Sequence, residues 1–400
     1  MAGGREPVAR GVSTKNVGLR GVTVADTAIS DVDGQAGRLL YRGYSIEVLA
    51  ERSCYEEVVH LLVMGDMPTR LELSSLRDAL SAGRSLSPEA VGLLRAFAPR
   101  TKPVEVLQAV SAALAETDPA PGEAGRDAER RRALDLTGKM ASLTAAWHRI
   151  RQGLDPVPSS FDLGHAADFL RMLNGSDPDP ALARDLDVAL ILHADHSMNA
   201  STFVARAVAS TRAHLYASIS AALGALSGEL HGGANAQVME MLQEIGDLHA
   251  VEEYVRSRLE AGERIMGMGH AVYDTDDPRA VILREMSRRT GERLGDTRWY
   301  ELTRRVQEAT QRSFRERKGG DIYPNVDMYS ASLYHVMGIP RDLFTPVFAA
   351  ARVAGWSAHV IEERFAEAAE KPQLYRPLSD YVGQYCGPAA CEYVPLEKRV

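Results

Sequence analysis

The chain has 400 residues, 45% hydrophobic and 25% charged, and carries a formal net charge of −8. That length can bury a large core and suggests two or three domains. The acidic balance argues against a nucleic-acid-binding surface, and no apolar run reaches the roughly 18 residues needed to span a bilayer. The opening stretch, MAGGREPVARGVSTKN, has charges and small residues but lacks the apolar centre of a secretory signal. Cys54, Cys386 and Cys391 form no CxxC pattern. They predict neither a disulfide framework nor a structural zinc site, with a reducing cytoplasm as the default.

In chain order, strand signals occur only between residues 21 and 44. There Val22, Val24, Leu39, Leu40 and Tyr41 flank Asp33-Gly34, which predicts a small hairpin or a pair of short strands. Ser53-Cys-Tyr-Glu56 reads as a capping box before Val58, Val59, Leu61 and Leu62. Asp118-Pro-Ala-Pro-Gly is a surface loop, with a charged helix start at Arg126. Leu182, Leu186, Ala189, Leu190 and His193 recur at helical spacing, as do Val251, Tyr254, Val255 and Leu259. The alanine-rich run from Thr202 to Leu226 predicts one largely buried helix, despite Arg206, Arg212 and His214. His231-Gly232-Gly233 ends it and offers a hinge before a helix over Ala234 to Ile245. Asp277 and Pro278 suit the N-cap and first position of a helix, and Tyr329 to Met337 and Phe344 to Glu363 are apolar helices. The pattern is mainly α.

Four short motifs carry chemistry. His193 and His196 lie three apart, which on a helix puts them on one face and can suit a metal. A metal would need further ligands, and neither an HExxH motif nor a cysteine pair supplies them. The commoner arrangement is one structural histidine bonded to the backbone and one facing a pocket. His231 precedes two glycines and a helix start, whose positive partial charge disfavours imidazolium. A neutral imidazole N–H there can polarise a carbonyl, though the same residues also fit a plain helix junction. Gly267-Met-Gly-His270 leads to Asp277-Pro278-Arg279, and Arg279 in a first helical turn is poorly placed for the dipole. It suits either a bidentate carboxylate site or a solvated surface. Asp327, after Pro-Asn-Val, is an N-cap on the plain reading and a base if its setting is apolar. Arg352, inside the apolar run Phe348 to Trp356, calls for a carboxylate partner or a ligand.

Together these stretches resemble the citrate synthase family, including 2-methylcitrate synthases. The likeness rests on His-Ala-Asp-His-x-x-Asn-Ala-Ser-Thr, Leu-His-Gly-Gly-Ala-Asn, Gly-His-x-Val-Tyr with Asp-Pro-Arg following, and Pro-Asn-Val-Asp. It runs from Gly18-Leu-Arg-Gly-Val to the closing Tyr393-Val-Pro-Leu-Glu-Lys-Arg399. The resemblance implies a multi-helical two-domain fold with a small N-terminal β hairpin. Residues 1–232 and 342–400 would form a large domain, and residues 233–341 a small one closing over the cleft.

It also implies condensation of acetyl-CoA with oxaloacetate and water to citrate and CoA. His231 would hold the thioester carbonyl, Asp327 take the α-proton, and His270 activate the ketone. Oxaloacetate would be held by His196, His270, Arg279, Arg352 and Arg376, the last reaching the partner's site in a homodimer. Ile265, Gly267, Met268, Gly269 and Lys318 would meet CoA, a co-substrate, with no permanently bound cofactor and no metal. Asp274 stands where many relatives carry a base able to meet CoA phosphate, so Arg315, Arg317 or Lys318 would have to compensate. Ser197 replaces a glutamate common in the family. Three other readings remain. One is a 2-methylcitrate synthase using propionyl-CoA; another is a catalytically silent protein binding CoA or oxaloacetate. The third is a metal hydrolase built on His193 and His196. A soluble cytoplasmic protein with no nucleic-acid or membrane partner is expected.

Overall fold

The computed structural model describes residues 18, 19, 21–383 and 391–399. Sixteen α-helices and a three-stranded antiparallel sheet make up the described residues. The sheet is one strand larger than a hairpin. β1 (Ser30–Asp33) pairs with β2 (Arg38–Tyr41), and β2 with β3 (Tyr44–Ser45). Val22 and Val24 lie outside it, so alternation alone placed the first strand too early. Leu39 and Tyr41 point inward and are fully buried. The β1–β2 turn is closed by the Asp33 carboxylate, which accepts from the Gln35 and Ala36 amides at 3.1 and 2.9 Å.

Local chemistry sets most helix starts. Asp179 and Asp277 cap helices Pro180–His193 and Pro278–Leu294, each with proline at the first position. Helix Ala234–Ile245 has the bounds expected after His231-Gly232-Gly233. The capping box near residue 54 lies one residue later than expected: Cys54 is the N-cap and Glu57 returns to its amide at 3.0 Å. The single helix expected over Thr202 to Leu226 is two, Ala200–Ser210 and Leu215–Leu226. Arg212 turns the chain between them with φ +67°, and His214 caps the second helix through its ring.

Two helices act as hubs. Phe344–Phe365 is buried over almost its whole length and packs on helices Tyr55–Met64, Arg126–Ile150, Pro180–His193, Ala200–Ser210 and Leu215–Leu226. Val326–Val336 packs on helices Ala234–Ile245, Pro278–Leu294 and Arg298–Lys318. At about 25 cal/mol per Å² of apolar surface removed from water, these two seams hold the fold together. Gly355 lets the first hub press on the turn after His193: a Cβ there would lie 2.3 Å from the Ala194 carbonyl oxygen. From Ala369 on, the described residues are exposed except Tyr375, whose hydroxyl donates to Glu363 at 2.6 Å. Cys391 is disulfide-bonded, which the sparse cysteines had not suggested, and Cys54 is free. Among the described residues no helix is long and apolar enough to cross a membrane.

Candidate active site

Helix Pro180–His193 stops at His193, so His193 and His196 do not share a helical face as their spacing suggested. His193 Nδ1 donates to its own helix at Ala189 O (2.7 Å), and its ring packs between Tyr334 and Phe348. It is the structural member of the pair. The following turn is held from two sides. The Tyr41 hydroxyl lies 2.9 Å from the Asp195 carbonyl oxygen. The Asp195 carboxylate accepts from the Ser30 hydroxyl and the Ser197 amide and faces buried His359 at 3.3 Å. Ser197 adopts φ +48°, a left-handed conformation unusual for a residue with a side chain. This turn presents the His196 ring edge-on to His270 (5.3 Å) and to Tyr273 (5.6 Å). His196 Nε2 and the Tyr273 hydroxyl are both buried without a hydrogen-bond partner among the described residues, polar atoms that a ligand would satisfy.

His231 is held by the start of helix Ala200–Ser210. The Ser201 amide donates to its Nε2 at 3.2 Å, and the Ser201 hydroxyl lies 2.7 Å from the same nitrogen. A nitrogen that accepts an amide N–H carries no proton, so the ring is the Nδ1–H tautomer and Nδ1 is left to donate. Burial, then the Arg352 charge, lowers its proton affinity to a pKa of about 4. The helix start that occupies this imidazole's ring nitrogen is thus the one at Asn199, and not the one at Ala234 expected from chain order. Ser201 is fixed in turn by Asn199 (2.8 Å) and the Trp356 indole N–H (3.1 Å). Chain pattern had shown these three only as members of motifs. The missed signal is Asn199 directly before Ala-Ser-Thr, a helix cap whose second residue points back at the site.

His270 is set the same way from a turn. Its Nδ1 accepts from the Val272 and Tyr273 amides, both at 3.0 Å, which leaves Nε2–H as the donor. Burial, then Arg279, lowers its pKa to about 4. His196 is likewise held neutral, by burial first and then by Arg279. Three neutral imidazoles therefore surround one space.

The cations differ in how they are paired. Arg279 is 2% exposed, which removes the solvated alternative. Its Nε and Nη2 bind the two Asp277 carboxylate oxygens at 3.0 and 2.8 Å. Burial alone would lower its proton affinity, but Asp277 outweighs that and raises it. Arg352 is 1% exposed and has no carboxylate within ion-pairing distance among the described residues. Its Nε donates to His193 O at 2.6 Å, and its guanidinium carbon lies 4.6 Å over the Phe348 ring. Burial lowers its pKa to about 10, so it stays charged at neutral pH. A buried charge without a counter-ion is costly unless a ligand supplies one.

Asp327 is not an N-cap. Asn325 takes that role, donating nothing to Asp327 but accepting its amide at 3.0 Å, so the Asp327 carboxylate is not used in capping. Burial raises its pKa to about 7; Arg279 and Arg352 pull down and Asp277 pushes up, but burial wins. His196, His231, His270, Arg279, Arg352 and Asp327 thus share one field.

Other candidates stand elsewhere. Arg376 is exposed and outside this cluster. The 265–269 loop is tied to the segment before Asp327: Asn325 N donates to Gly267 O (2.9 Å), Gly269 N to Tyr323 O (2.8 Å), and Asn325 Nδ2 to Gly269 O (2.9 Å). Met268 N is spent on Ile265 O at 3.2 Å, and Ile265 is buried. Of the three bases that could offset Asp274, Arg315 pairs with Asp321 and Arg317 with Glu260. Lys318 has its ammonium 5.2 Å over the Phe314 ring and makes no ion pair among the described residues. Nor does any group of three His, Cys, Asp or Glu among them converge to hold a metal ion.

The fold and site define a multi-helical enzyme in which neutral imidazole donors, an anion-seeking guanidinium and a carboxylate of raised proton affinity share one electrostatic field. Residues 18–378 match the family described as citrate synthase, C-terminal domain. A citrate synthase of Haloferax volcanii is 43% identical over 387 residues, 96% of this chain and 98% of that protein. A citrate/2-methylcitrate synthase of Bacillus subtilis is 38% identical, covering 92% and 96%. A structure described as the ternary complex of carboxymethyl coenzyme A and oxaloacetate with citrate synthase from Thermoplasma acidophilum superposes with TM-score 0.86 at 32% identity, covering 96% and 98%. The chain belongs to the citrate synthase family.

Proposed function

We propose that the protein condenses acetyl-CoA with oxaloacetate through the six gathered residues. What carries this reading is the paired tautomers: His231 and His270 each have one ring nitrogen occupied by backbone amides, leaving the other as a donor. His231 Nδ1–H donates to the thioester carbonyl while Asp327 removes a proton from the methyl carbon. The electron pair passes into the carbonyl, giving an enol or enolate that donors at the oxygen make accessible. That carbon attacks the ketone of oxaloacetate, whose oxygen takes the proton of His270 Nε2. Water then cleaves the thioester, releasing CoA and citrate. Arg279 and Arg352 bind the oxaloacetate carboxylates, and His196 Nε2 donates to the same ligand. Arg352 supports this as a buried cation that makes no ion pair among the described residues.

In this reading residues 233–341 form a small domain built round the Val326–Val336 hub, closing on the rest and excluding water. Two chains form a homodimer, and Arg376, exposed in one chain, reaches the cleft of its partner. CoA lies along residues 265–269, contacting Ile265, Gly267, Met268 and Gly269, with Lys318, which makes no ion pair among the described residues, as the cation. The protein works in the cytoplasm, without a permanently bound cofactor.

Propionyl-CoA is the competing co-substrate, favoured by the Bacillus subtilis relative's double name. One methylene discriminates by only about 1–3 kcal/mol. Both acyl-CoAs are therefore expected to release CoA thiol with oxaloacetate, acetyl-CoA with the higher kcat/KM. Side-by-side initial rates check this. A strong propionyl preference would reassign the chain to 2-methylcitrate synthesis, and no release with either, by folded protein, would leave a silent binding protein.

A further inference from the structure

The turn between β1 and β2 lies about 240 residues before the His270 loop in sequence, yet the two are in direct contact. Asp274 N donates to Gly34 O at 3.0 Å. A Cβ on Gly34 would lie 2.0 Å from the Val272 carbonyl oxygen, and one on Gly37 would lie 2.9 Å from Thr275 Cγ2. The turn therefore seats on residues 272–276, the stretch that joins His270 to the Asp277–Arg279 pair. Two amides of this stretch, Val272 N and Tyr273 N, are the donors that occupy His270 Nδ1. Asp274, whose side chain is exposed, contributes its backbone to this contact.

We infer that the Asp33–Gly37 turn is a positioning element for His270, pressing residues 272–276 into the form that keeps two amides on Nδ1 and leaves Nε2–H aimed at the substrate ketone. The inference rests on His270 being the ketone activator. Gly34 is needed for closeness and not for its own backbone, because its φ lies outside the left-handed region. Alanine fits the turn itself but overlaps Val272, so its effect must be passed to the loop. The hairpin is also rigid enough to press, since the Asp33 carboxylate closes it and Leu39 and Tyr41 root it in the core.

The test compares wild type, Gly34→Ala, Asp33→Ala and His270→Asn, each checked for folding by circular dichroism. Two quantities are read: kcat for citrate formation, and the ¹³C chemical shift of the ketone carbon of bound oxaloacetate. Polarisation by an N–H donor moves that shift downfield, whereas a merely structural defect leaves it in place in the folded fraction. Gly34→Ala is expected to lose at least about tenfold in kcat and part of the downfield shift, one hydrogen bond's worth of alignment. Asp33→Ala, which loosens the turn without overlap, is expected to act in the same direction and decides the matter if Gly34→Ala does not fold. A folded turn variant with wild-type kcat and shift, while His270→Asn is inactive, overturns the positioning role alone. Wild-type turnover by His270→Asn overturns the ketone-activator reading and this inference with it.

Discussion

Asp327→Asn is expected to lower kcat by about 10³-fold while leaving oxaloacetate affinity nearly unchanged. General-base contributions fall in the range of roughly 10²–10⁴, and an amide cannot take the α-proton. The carboxylate is placed for the task by what surrounds it. Asn325 relieves it of capping, and burial lifts its pKa to about 7. Wild-type turnover should accordingly fall as pH drops below about 7, where the base becomes protonated. The same shift has a consequence for stability. With a native pKa above the usual 3.8, the folded state holds more protons than the unfolded state between those values. Stability then declines as pH rises through that window, and above it the buried charge is a standing cost. Asp327→Asn removes that cost, so its Tm should exceed the wild-type value at pH 8, with the gap closing toward pH 4. Thermal melts across pH, beside kcat and oxaloacetate titrations, check both halves. Wild-type-like turnover would take Asp327 out of the mechanism.

Arg352→Met should show the complementary trade. The guanidinium is buried, stacked on Phe348 and bonded to a carbonyl, with no carboxylate within ion-pairing distance among the described residues. Replacing a buried charge by an apolar group of similar length is often neutral or stabilising. The free variant is expected to melt at or above the wild-type temperature. Its oxaloacetate affinity should fall by about 10²-fold or more, since losing one partner of a desolvated charge pair costs roughly 2–5 kcal/mol. Oxaloacetate is expected to raise the wild-type Tm by binding the folded state, and that increment should vanish in the variant. Retained oxaloacetate affinity in Arg352→Met would show that the buried cation serves the fold and not the ligand.

Much of the site was legible in chain order because local chemistry and function coincide. Asp277-Pro278 starts a helix wherever it lies, and the same start delivers Arg279, already paired, into the field of His196, His270 and Asp327. The helix over Ala234 to Ile245 is expected after His231-Gly232-Gly233. What could not be read are relations between distant segments. The amide that fixes His231 comes from Ser201 thirty residues earlier, and the turn that meets residues 272–276 after His270 comes from the N-terminal sheet. The break at Arg212 was hidden because alanine-rich sequence on both sides favours helix, while a left-handed arginine leaves no composition signal. Asp327 looked like a cap because a cap and a base are the same residue type. Only the neighbouring Asn325, better placed by two residues, separates the roles.

The proposed chemistry turns on a methyl carbon that loses one hydrogen and then forms a bond. Acetyl-CoA carrying three deuterons on that carbon, given to the protein with oxaloacetate, reads this directly in the mass of the product. Proton removal by Asp327 followed by attack on the ketone predicts citrate that retains two of the three deuterons, with release of one CoA thiol per citrate. A product retaining all three, or thiol release without any tricarboxylate, would contradict it.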